Sequence, residues 1–134
     1  MRIDIPTVAD LTNMNHAHIS AATGGTTVRL PRLGTQTDSS QTPTIDTDAV
    51  DLFSITGQTA DITSFTTNLS GAENSGQTLI IQITGTASRA LAWGTKFESS
   101  GDVTLPTTTS STTMLSVGFI YNLASHKWTC VAGA

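Results

Sequence analysis

The chain has 134 residues with a formal net charge of -4; 12% of its residues are charged and 5% aromatic. That length supports one domain with a short appendage and a real core. A charged fraction about half the usual quarter leaves a surface of Thr, Ser, Asn, Gln and Gly, which suits burial against identical neighbours. The six basic residues, Arg2, Arg29, Arg32, Arg89, Lys96 and Lys127, are scattered. Nucleic acid needs clustered cations, so it is excluded as a partner, and the N-terminal stretch MRIDIPTVADLT has no apolar run of the length a signal peptide or membrane helix requires.

Residues Met1 to Arg32 show neither period 2 nor period 3.6 and carry Pro6, a polar run through His16-Ala17-His18, the pair Gly24-Gly25 and Pro31. This reads as an extended N-terminal arm for attachment and assembly, ordered by packing on another chain. Residues 33–47 read as a polar linker rich in turn formers. The domain proper is expected over 48–134.

Within it, strands are predicted at Val50 to Thr56, Asp61 to Leu69, Gln77 to Thr84, Ser88 to Trp93, around Phe97, at Val103 to Leu105, Thr113 to Asn122 and Lys127 to Ala132. Leu79, Ile81 and Ile83 share one face of the third, and Leu115, Val117, Phe119 and Tyr121 one face of the seventh. Asn122 to Ser125 has hairpin size. Seven or eight strands at this spacing, with no amphipathic helix, predict an all-β antiparallel sandwich or jelly roll.

Candidate chemistry is thin. His16 and His18 alternate in an extended arm and, in a trimer, could present six imidazoles to one metal; a single chain offers only two, so polar turn residues are the simpler reading and no cofactor is expected. His126 has no strained serine elbow near it. Asp46, Asp48, Asp51 and Asp61 lack the glycine of a calcium loop and read as solvated loop acids. Gly24-Gly25 has neither the strand nor the helix of a phosphate cradle. Cys130 reads as a buried inert thiol. Trp93 and Trp128 read as core or interface more readily than as sugar-stacking platforms.

Trp93-Gly94, Phe97, Leu105-Pro106, Val117-Gly118-Phe119-Ile120-Tyr121 and Trp128 occur in an order and spacing that resembles a β-domain of tailed-bacteriophage structural proteins. The likeness covers roughly Thr42 to Ala134. The arm, from Asp10-Leu11-Thr12-Asn13 through His16-Ala17-His18 to Gly24-Gly25, is similar to segments preceding such domains in fibres, spikes and decoration proteins.

The resemblance implies a non-enzymatic virion protein, usually a homotrimer, made in the host cytoplasm. No period of 20 to 50 residues is evident and the chain is short, which favours a capsid decoration or cement protein over a shafted fibre. On this expectation Arg2, Ile3, Ile5, Arg29 and Arg32 contact the major capsid protein on the outer head surface, and Phe119, Tyr121 and Trp128 form the trimer core or interface. The alternative is a head-fibre or tail-fibre module that recognises a host surface glycan or protein.

Overall fold

Alternation of large apolar and small polar side chains sets the main strands. In Leu115–Asn122, the side chains of Leu115, Val117, Phe119 and Tyr121 are buried while Ser116, Gly118 and Ile120 face outward. The computed structural model describes residues 30–36 and 39–134, and among them it is all β. The strands are β1 (Leu33–Gln36), β2 (Ile45–Asp46), β3 (Leu52–Gln58), β4 (Leu69–Ser70), β5 (Thr78–Gly85), β6 (Phe97–Ser99), β7 (Leu115–Asn122) and β8 (Lys127–Gly133).

Six of them form one sheet in the order β1-β3-β5-β7-β8-β6, and β2 pairs with β4 in a second, two-stranded sheet. β1, β3 and β5 are mutually parallel, with Leu33 opposite Leu52 and Leu52 opposite Ile80. β7 runs antiparallel to both β5 and β8, and β6 is parallel to β8. Five strands of this sheet therefore point one way and β7 alone points the other. The antiparallel expectation holds for two pairings only.

The parallel pairs arise because the chain winds in solenoid-like coils, the first running through β1 and β2, the second through β3 and β4, and the third from β5 onward through Leu91 to β6. A parallel connection must cross over to return to the same end of the sheet. Here the crossovers contain β2 and β4, themselves parallel, and Ile62 bridges Leu91 in the same sense. Thr63 N–H donates to the Gln41 carbonyl, so the first coil is in register with the second at this corner as well. The antiparallel β7–β8 hairpin then covers the open side of β5.

Several expected strands become corners. Residues 33–47, read as a linker, supply β1 and β2. Ser88 to Trp93 make only single bridges at Ala90 and Leu91, and Val103 and Leu105 pack on the core without pairing. Asp61 to Leu69 likewise narrows to the Ile62 bridge and the start of β4.

One continuous core fills the interior of Arg32–Ala134. Phe65 stacks on Trp93 at 4.4 Å between ring centroids, and Trp93 and Phe97 both meet Phe119. Trp93 donates its indole N–H to the Pro106 carbonyl at 2.7 Å, which satisfies the one polar atom that burial would strand. Gly94 follows with φ of 84°, and a Cβ there would lie 2.7 Å from Thr66 Cβ.

Candidate functional site

Most of the charged side chains among the described residues make links between segments of the coil. Arg32, at the start of the first coil, forks onto Asp51 at the start of the second: Nη2 donates to Oδ1 at 2.9 Å and Nε to Oδ2 at 3.1 Å. Its other terminal nitrogen donates to the Asp48 carbonyl. The Asp51 carboxylate raises the Arg32 guanidinium above its ordinary value. Arg32, expected on a capsid contact, is thus engaged within its own chain. Arg2, Ile3, Ile5 and Arg29, and the metal candidates His16 and His18, lie outside the described residues.

Glu73, just after β4, joins the second coil to the third and to the hairpin. Its Oε1 accepts from Lys96 Nζ at 2.8 Å, and its Oε2 accepts from the Tyr121 hydroxyl at 2.7 Å. Those two hydrogen bonds hold the Glu73 carboxyl below its usual range. Burial, with the Glu73 bond second, pushes the Tyr121 phenol up to about 12. Glu98 on β6 repeats the device on the hairpin, where Ser125 and Thr129 donate to it at 2.6 and 2.7 Å and lower its pKa.

The acids read as solvated loop residues do the same work at lower burial. Asp61 accepts the Ala90 N–H at 2.9 Å, second coil to third, and Asp48 accepts the Ala72 N–H at 2.9 Å. Asp46 caps its own turn at the Asp48 N–H. Sequence reasoning counted Lys96 only among scattered cations and assigned no role to Glu73 or Glu98. The available signal was scarcity, since a chain with so few charges has few to leave idle.

Phe119, Tyr121 and Trp128, expected at a trimer core or interface, lie in the protomer's own core. Each is about 1% exposed within the single chain, and a side chain with no accessible surface contributes no area to a second subunit. They were placed on the right face of the right strands; that face turns into the protomer's own core. Trp93 is 5% exposed, so neither indole is free to stack on a sugar. Cys130 is also buried, which raises its thiol pKa.

A pocket of about 90 Å³ opens beside the clamp, lined by Thr47, Thr66, Gly71, Glu73, Lys96 and Trp128 among others. It has room for a few waters only, well below the ~300–1,000 Å³ of small-molecule sites. The two charges that line it face each other.

The outer face of the six-stranded sheet is different in kind. Leu33, Leu52, Ile80 and Gly118 lie side by side across β1, β3, β5 and β7, with Ile120 and Val131 adjoining. Leu33 is 66% exposed, Ile80 and Ile120 each 40%, and Val131, set out by the irregularity in the β7–β8 register, 45%. Around them are Thr35, Ser54, Gln82, Thr84, Ser116 and Thr129. No residue of β1, β3, β5 or β7 is charged.

Among the described residues no group of three or more His, Cys, Asp or Glu is placed to hold a metal, and no helix is long and apolar enough to cross a membrane. Comparisons with protein-family models, curated proteins and solved structures return no match for this chain.

Proposed function

We propose that the chain is a non-enzymatic structural protein of a bacteriophage virion, a homotrimeric decoration or cement protein that binds the outer surface of the head through the major capsid protein and reinforces it. The observation that carries this reading is the use made of charge. Arg32–Asp51, Asp61–Ala90, Glu73–Lys96–Tyr121 and Glu98–Ser125–Thr129 each tie one segment of the coil to another. A body braced in this way transmits load without local opening, which is what a reinforcing part requires. The family likeness of Trp93-Gly94, Phe97 and Val117 to Tyr121 supports the same class.

In this reading the coiled body is the rigid element and residues 1–32 provide attachment, with Arg2, Ile3, Ile5 and Arg29 on the capsid. Many copies, each adding a standard interface of about 1,600 Å², stabilise a shell collectively. The test is a quantified protein gel of purified particles together with a chain lacking residues 1–32. Decoration predicts copies in large excess over tail parts, and a truncated chain that folds but no longer binds capsids. A handful of copies per particle would overturn it in favour of a fibre module.

A further inference from the structure

The outer sheet face needs an occupant. Its apolar row, Leu33, Leu52, Ile80, Ile120 and Val131, is contiguous across five strands, and water against such a row is costly. We infer that this face is the surface by which copies of the chain bind one another. The inference rests on the preceding reading for self-association alone, and would stand for any assembly of this chain.

Two features point to a second copy over a foreign partner. The first is charge. Partners of different chemistry are selected by complementary potentials, and β1, β3, β5 and β7 offer none. The charged residues facing outward on this sheet, Glu98 and Lys127, sit on β6 and at the start of β8, and Glu98 is already bound by Ser125 and Thr129. An uncharged Thr, Ser and Ile face is matched best by another of the same composition.

The second is area. With strands ~4.8 Å apart and ~3.4 Å per residue, four strands of seven or eight residues and a shorter one on each flank cover roughly 600 Å² in projection. Side-chain relief brings this near the ~800 Å² per partner of a standard specific interface. The face is therefore large enough to hold two copies together without the arm.

The test uses the full purified chain, with no virus present, so that its failure is separable from failure of the virion assignment. Light scattering after size exclusion at tens of micromolar gives the mass of wild type, of Ile80→Lys with Ile120→Lys, of Gln82→Lys, and of Asp102→Lys as a charge control in a loop. The expected result is a wild-type mass of two or more chains, retained by the Asp102 control and falling to one chain in the sheet-face variants with far-ultraviolet circular dichroism unchanged. Gln82→Lys places a charge mid-face without altering a core residue, so it decides the matter if the double variant misfolds. A monomeric wild type overturns the inference. Unchanged mass in the folded sheet-face variants overturns it too, as does dissociation of the control.

Discussion

The Tyr121 hydroxyl donates to Glu73 Oε2 at 2.7 Å across 48 residues of sequence, while Lys96 holds the other oxygen of the same carboxylate. One side chain in a loop thus fastens the second coil, the third coil and the hairpin at a single point. Tyr121 is the only tyrosine in the chain, so its phenolate absorbance reports on this clamp without interference.

The first prediction concerns pH. Glu73 and Glu98 titrate below the ordinary 4.5 when folded, because Lys96 and Tyr121 stabilise the one carboxylate and Ser125 and Thr129 the other. A depressed folded pKa gives stability that is present above the ordinary value and lost as pH falls through the folded one. Tyr121 has the opposite sense: its folded value is raised from 10.0 to about 12, so its contribution is present below pH 10 and lost as pH rises toward 12. Melting temperature should therefore decline at both ends. Tyr121→Phe should flatten the alkaline decline, and a decline of unchanged size in that variant would assign it to other groups.

Removing a coil-to-coil acceptor should matter more than removing an equally exposed acid that bonds nothing. Asp61→Ala leaves the Ala90 N–H without its partner and should cost about 1 kcal/mol. Asp102→Ala, in a loop, should change stability by less than about 0.5 kcal/mol. Urea unfolding of the two variants side by side makes the comparison, and equal losses would contradict the bracing role.

Gly94 should resist substitution. Its φ of 84° strains any L side chain, and an added Cβ would lie 2.5 Å from Thr66 Oγ1, the hydroxyl that donates to the Trp93 carbonyl. Gly94→Ala should cost roughly 1–3 kcal/mol. Thermal unfolding reads this directly, and a variant as stable as wild type would show that the turn relaxes.

Cys130 should be silent to thiol reagents in the folded chain. It is fully buried on the inner face of β8, and burial raises its pKa, so little thiolate is available. Labelling should follow the unfolded fraction as denaturant rises. Rapid modification in native buffer would mean that the β7–β8 hairpin opens independently of the rest.

The strands with strict alternation were legible from sequence. Leu79, Ile81 and Ile83, and Leu115 through Tyr121, sit on the faces their spacing predicts, because side-chain direction in a strand depends on parity alone. Strand direction leaves no such trace, so β3 and β5 were readable as apolar runs and unreadable as members of a parallel stack, while the polar β1, LGTQ, reads as linker. The coils also hide their own repetition. Arg32 and its partner Asp51 are 19 residues apart, Asp61 and its partner Ala90 are 29, and turns of unequal length produce no sequence period. The same parity that placed Tyr121 and Trp128 correctly says nothing about whether their face meets the chain's own core or another subunit.

The solitary reversed strand has a consequence for the order of events during synthesis. β5 is complete at Gly85, yet the strand that covers its free side begins only at Leu115. While the intervening residues emerge from a ribosome, the nascent coil presents an unpaired, uncharged edge, the kind of edge that recruits strands from neighbouring chains. β7 closes it from the opposite direction, and a strand entering antiparallel cannot be mistaken for the next coil of the stack. The last hairpin is therefore a stop signal for winding, written in backbone polarity.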